Sequence, residues 1–213
     1  MDGTVRLVRV IMPEKGVFAV RCPQEGIIKK GCHVVVNLGY GPDVGTVLGT
    51  EFYDPAVHGP SLPGYQMLRM KTEADDREIE AAVPVVARMK AEFLAIAQRT
   101  DQSVRLLHVR LSLGRQRLFV WYAADTRSCD LSAAAKELER CENVRVLTRQ
   151  LTPRDEVAVL GALGPCGRPC CCATWQTRPP HGLTSERMRN REMGSIQPNG
   201  ICGRYKCCFA FEE

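Results

Sequence analysis

No stretch of this 213-residue chain approaches the 18 or more consecutive apolar residues of a membrane-spanning helix. The N-terminus, "MDGTVRLVRVIMPEKG", interleaves valine and leucine with arginine and lacks the unbroken apolar run of a secretory signal. A cytoplasmic location, where thiols stay reduced, is therefore expected. Histidine is sparse as well. His33, His58, His108 and His181 stand far apart, with no neighbours that would make a catalytic triad. The glycines of "LGYGPDVG" (38–45) are not followed by the Lys-Ser/Thr of a phosphate loop, so they read as a hairpin turn. Asp75 and Asp76 are a helix-start charge pair, not acid–base machinery. These gaps argue against an enzyme. Lysine is scarce too, 7 against 22 arginines for a net charge of +5. Arginine's planar fork suits phosphate or carboxylate partners.

What is present falls into three parts. Residues 4–52 alternate polar with β-branched residues in "TVRLVRVIM", "GVFAVRC", "CHVVVNL" and "VGTVLGTEF", separated by regular turns. That pattern predicts a small, strongly bent antiparallel sheet or barrel. Residues 53–68, with Pro55, Gly59, Pro60, Pro63 and Gly64, read as an extended connection, so a β-rich N-terminal domain with its linker spans 1–70. From Thr72, capped by Asp75, the period changes to helical. Ile79, Val83, Val86, Met89, Phe93 and Ile96 share one face, and Pro84 predicts a kink or restart. A hairpin, a helix capped by Asp130 with Leu131, Ala134, Ala135, Leu138 and Cys141 inward, a strand, and a helix opened by Thr152-Pro153 follow. This β-β-α-β-α order makes residues 71–163 an α+β domain. Trp121, Tyr122 and Trp175 are rings able to stack on bases, although Trp121, within a strand, is expected in the core.

After Gly161 the patterning collapses into Gly, Pro and Cys, with "LTSERMRNREM" alone looking helical. Residues 164–213 therefore form a third, Cys-rich segment with little core, which something other than apolar burial must order. Between Gly164 and Phe211 it carries seven basic residues against two acidic, and Arg187, Arg189 and Arg191 are its candidate binding residues for an acidic partner or RNA phosphates. It also holds two similar strings, "CGRPCCC" (166–172) and "CGRYKCC" (202–208), with seven of the eleven cysteines. A disulfide framework is disfavoured by the expected compartment, and adjacent cysteines bridge each other poorly. Cys22, Cys32, Cys129 and Cys141 lie in strand or helix patterns and are expected as small core residues. The clustered set points to a metal. Cys166-x4-Cys171 and Cys202-x4-Cys207 each supply two thiolates from a tight loop, suiting tetrahedral zinc or an iron–sulfur cluster. Gly167 and Gly203 allow a positive φ that turns amides toward sulfur, and Arg168 and Arg204 can offset thiolate charge. Spacing leaves zinc and iron–sulfur both open, and leaves Cys170, Cys172 and Cys208 beyond a four-thiolate count.

"RDEVAVLGALGPCGRPCCCATW" followed by "SIQPNGICGRYKCCFAFE" resembles the YaaT/RicT family of stage 0 sporulation proteins, which share a C-terminal domain with a yeast polymerase-suppressor protein. Upstream, "MKTEADDREIE", "RLFVWYAADTRSCDLSAAAKELE" and "VRVLTRQLTPRDE" extend the likeness. The resemblance implies a regulatory or adaptor subunit that carries a [4Fe–4S] cluster and modulates RNA processing by a separate, RNase Y-like nuclease. It implies RicA- and RicF-like small helical partners. By position, Cys166, Cys171, Cys172, Cys202 and Cys207 match the family's cluster-binding cysteines, and Cys208 matches the string. Cys170 stands where the family has an apolar residue, and the segment between the strings is shorter. The alternative is a zinc-stabilised nucleic-acid-binding module using the same cysteines.

Overall fold

The computed structural model describes residues 5–12, 14, 16–23, 26–58, 61–126, 128–174, 176 and 198–211. The chain is mixed α+β, with a β-rich N-terminal part and a second sheet backed by helices. Strands β1 (Arg6–Met12), β2 (Gly16–Arg21), β3 (His33–Asn37), β4 (Pro42–Phe52) and β5 (Gln66–Met70) close a barrel in the order β1-β2-β5-β3-β4. Alternation in β1 turns Val8, Val10 and Met12 inward against Val34, Val36 and Val47. β4 crosses β1 so closely that a Cβ at Gly45 would collide with Val10, which is why that position has no side chain.

The four strands expected between 4 and 52 are all present. β5 is a correction, because it falls inside the stretch read as a linker. Its inward residue, Met67, is fully buried while the other four are exposed, so one apolar position left no period to read. β5 also pairs with β2 in parallel, so the barrel is not purely antiparallel. A short helix, α1 (Pro55–His58), occupies part of the same connection.

The second unit runs α2 (Glu73–Thr100), β6 (Arg105–Leu111), β7 (Arg117–Ala123), α3 (Ser132–Glu142), β8 (Arg145–Gln150) and α4 (Pro153–Leu160), the expected order. β6 and β7 form a hairpin, and α3 carries the chain over to β8, parallel to β7. Helices α2 and α3 cover one sheet face, where Phe93, Leu118, Val120, Leu131 and Leu138 form the core. At the start of α2 the Asp75 carboxylate accepts from the Thr72 N–H (2.8 Å) and hydroxyl (3.0 Å), as well as from both Arg69 Nη atoms. The Arg69 hydrogen bond is the main reason the Asp75 carboxyl lies well below its usual range, overcoming burial. The N-cap of α3 is Leu131 instead of the expected Asp130, whose carboxylate stands one residue further out and accepts the Ser132 N–H (2.9 Å).

Two expectations fail here, and of the kink or restart expected at Pro84 the restart does not occur, because α2 continues through that residue. That residue is exposed, so the Glu80 carbonyl left without an N–H partner faces water. Ile79 and Val83 are 42% and 61% exposed, and Ala82 is buried in their stead, because the first turns of α2 overhang the sheet edge. Cys141 is exposed and Cys32 half-buried, while Cys22 and Cys129 are buried. Burial on the inner face of α3 ends at Leu138, a turn before the helix does.

The barrel meets the helix-free face of the sheet around Arg110, beside the Leu113 N–H that donates to Asp43 and Arg117 stacked on Tyr40. Arg110 on β6 donates Nε and Nη2 to Glu14 (2.7 and 2.9 Å), and Nη1 and Nη2 to Asp43 (both 2.8 Å). Asp43 is fully buried in β4. Burial pushes the Glu14 carboxyl up, but hydrogen bonds from His108 and Arg110 outweigh it and bring it down to about 2. Against burial, Asp43 and Glu14 push the Arg110 guanidinium above its already high range.

Candidate metal centre

The two cysteine strings fold into the same small loop twice, 36 positions apart. In the first, the Gly164 N–H donates to the Arg168 carbonyl (2.8 Å), the Gly167 N–H to Gly164 (2.9 Å) and the Cys170 N–H to Ala162 (2.9 Å). In the second, the Gly200 N–H donates to Arg204 (2.8 Å), Gly203 to Gly200 (3.0 Å) and Lys206 to Pro198 (2.9 Å). Bridges Leu163–Pro169 and Asn199–Tyr205 close the two loops alike. Gly167 and Gly203 both adopt φ of 74°, a conformation that a side chain would strain, as the C-G-R pattern implied. Each loop then enters a 3-10 turn, Cys171–Ala173 and Cys207–Ala210. Cys166, Cys171 and Cys172 thus correspond to Cys202, Cys207 and Cys208. The surplus Cys170 corresponds to Lys206.

The two turns touch, and the loops face one another across a cavity of about 350 Å³. All seven clustered cysteines line it, with Val157 from α4, Arg168 and Phe209 among the remainder. Six of those cysteines are the candidate ligands, so the structure brings the whole set together. Every donor is a soft thiol, which fits zinc or an iron–sulfur centre, and none of the described histidines takes part. Among the described residues no three Cys, His, Asp or Glu side chains stand close enough to hold one ion between them. The thiols ring a space instead of converging on a point. Cys170 and Cys172 are buried, and burial, then neighbouring thiols, raises both of their pKa values. Arg168 and Arg204 are exposed at equivalent loop positions, but Arg168 alone of the two lines the cavity. Arg187, Arg189 and Arg191 lie outside the described residues.

One participant escaped the sequence reading. Arg154, on the first turn of α4, is 3% exposed and donates through Nη2 to the Gln176 carbonyl beyond the first loop. Its charge also opposes the rise in the Cys172 pKa. Nothing in "TPRDEV" distinguishes this arginine from its exposed neighbours, because its burial comes from a loop 22 residues away. α4 is therefore the strut on which the first loop is mounted. Thr152 caps it, exchanging hydrogen bonds with Asp155.

Across 146 residues the chain is 30% identical to Stage 0 sporulation protein YaaT of Bacillus subtilis (strain 168), covering 62% of this chain and 50% of that protein. Over that stretch the chain is similar to YaaT. The similarity covers more than half of the sequence, although the chain spans about half the length of the curated relative it matches. No family model matches the chain, and no solved structure matches it either. Among the described residues no helix is long and apolar enough to cross a membrane.

Proposed function

We propose that this chain is a non-catalytic regulatory or adaptor subunit that holds an iron–sulfur centre between its paired loops and modulates RNA processing by a separate nuclease. The observation that carries this reading is the duplicated loop, two copies of one thiol-bearing turn facing a common cavity. A tetrahedral zinc site with Zn–S bonds of about 2.3 Å needs four thiolates converging on one ion. The ring of thiols around about 350 Å³ suits a bulkier, multi-atom centre better. Cys166, Cys171, Cys202 and Cys207 are the first candidates to hold it, with Cys172 and Cys208 as further thiols on the same turns. Such a centre supplies crosslinking and redox sensitivity, and this chain's residues supply the thiolates, the Arg168 and Arg154 charges, and the α4 mounting.

The rim supports an adaptor role. Leu160, Leu163, Ile201 and Phe211 are each about three-fifths exposed around the two loops, an apolar border suited to a small helical partner of the RicA or RicF kind. The kinship with a sporulation protein supports regulation over catalysis, and a reduced cytoplasmic setting suits uncrosslinked thiols. Anaerobic purification with iron, sulfide and zinc analysis tests the reading. Brown protein with stoichiometric iron and sulfide supports it. Colourless protein with one tight zinc and no sulfide supports a zinc-stabilised nucleic-acid-binding module. RNA cleavage by the isolated chain overturns the non-catalytic role.

A further inference from the structure

The sheet face that meets the barrel is only partly covered by it. Register places Arg117 opposite Arg145 and Trp121 opposite Arg149 across β7 and β8, and His108 opposite Trp121 across β6 and β7. With Phe119 between them, these side chains share the face away from α2 and α3. The β6 side is filled by Arg110 and its two barrel carboxylates. The β7–β8 side opens into a cleft of about 520 Å³, walled by Arg117, Phe119, Trp121 and Arg149 from the sheet and by Tyr40 and Tyr65 from the barrel. Trp121, expected in the core, is instead half-buried at this cleft.

Charge and rings alternate here in a way the fold does not require. The Arg117 guanidinium lies 4.0 Å from the Tyr40 ring centre, and Arg149 lies 5.8 Å from that of Trp121. No acidic side chain among the described residues pairs with Arg117, Arg145 or Arg149, and the one carboxylate at the cleft, Glu14, is engaged by Arg110 and His108. Like charges set opposite each other in a sheet work against stability. Arg117 and Arg145 are such a pair, on strands that elsewhere pack well. An anionic ligand relieves that repulsion. Arg145 and Arg149, four residues apart on β8, are separated by roughly 13 Å at the usual rise per strand residue.

We propose that this cleft binds single-stranded nucleic acid, with bases stacked at Trp121 and phosphates held by Arg117 and Arg149 in its wall and by Arg145 beside it on the same sheet face. Rings on an open sheet face beside arginines are how several folds hold unpaired strands, because every base has a flat face and every nucleotide a phosphate. An acidic peptide uses the arginines and leaves the indole without a role. A duplex keeps its bases stacked on each other. The cleft shares no element with the cysteine loops, so it stands whether or not these hold a metal.

The test uses the full chain carrying Trp175→Phe, which leaves Trp121 as its single indole. A short fluorescein-labelled oligouridylate at low salt is expected to bind and to quench Trp121 emission, and an equal-length duplex to bind more weakly. Arg145→Gln with Arg149→Gln, both at exposed positions, is expected to weaken binding about tenfold or more and to flatten the salt dependence by about 0.7 for each phosphate no longer neutralised. Circular dichroism and thermal melting of that variant check that the fold is kept. Absence of binding, binding without quenching, or binding indifferent to the double substitution overturns the proposal. Equal displacement by polyglutamate overturns it in favour of an acidic polypeptide.

Discussion

From Leu7 to Leu151 the chain buries apolar side chains on nearly every element, while between Leu163 and Phe211 the buried apolar residues among those described are Cys170, Cys172 and Phe209. Two of those three are thiols. The barrel and the helix-backed sheet have interiors that exclude water, and a half-buried arginine with two carboxylates helps to join them. The cysteine loops have turn hydrogen bonds, a strut from α4 and a cavity where a core would be. Apolar burial can order the first region alone. In the second, so little surface is removed from water that the proposed centre would have to oppose most of the entropy of fixing the backbone.

The largest effect is expected from breaking the thiols. Cys166→Ser or Cys202→Ser should expose the segment after Gly161 to protease, while a fragment ending near residue 160 survives intact. Limited proteolysis read by mass spectrometry checks this, and a variant tail as resistant as the wild type counts against a bound centre as its organiser. Breaking the other region calls for Arg110→Leu, which strands Glu14 and Asp43 as buried carboxylates and should cost ~3–5 kcal/mol in urea unfolding of the body. The loops should be affected only as far as the body itself unfolds.

Acid offers a gentler probe of the same junction. Glu14 is held at about 2 in the folded chain against 4.5 ordinarily, so its folded pKa is depressed. Its stabilising contribution is full above pH 4.5 and is lost as pH falls from 4.5 toward 2. Unfolding midpoints measured across that window should drop, and Glu14→Gln should flatten the drop. Asp75, depressed by Arg69, adds loss of the same sign. The smallest effect is expected at the strut. Thr152→Ala removes a cap worth ~1 kcal/mol to α4, and hydrogen exchange should quicken in α4 and residues 162–174 while the barrel is unchanged.

The same contrast governs what could be read in advance. Alternation in "TVRLVRVIM" and helical spacing around Met89 and Phe93 are local consequences of burial, so most strands and helices were legible. β5 was not, because a barrel-closing strand with one inward residue has no period. Ile79 and Val83 misled for a related reason, since a helical stripe says which face is apolar and not how far the sheet beneath it reaches. The two cysteine strings and their glycines made a repeated tight turn legible, and the positive φ at Gly167 and Gly203 followed. The partnership of Arg154 with Gln176 and the arginine–indole face of β7 and β8 were hidden. Both arise where distant segments meet, and no short-range pattern encodes that.

The most direct measurement follows hydrogen exchange in residues 162–174 and 198–211 of anaerobically purified protein of known iron and sulfide content, before and after oxidation and chelation. The account expects slow exchange in both loops while iron and sulfide are present, lost in both together on their removal, with β1 through β8 unchanged. Loops equally protected without iron and sulfide, or one loop released while its counterpart stays ordered, would contradict it.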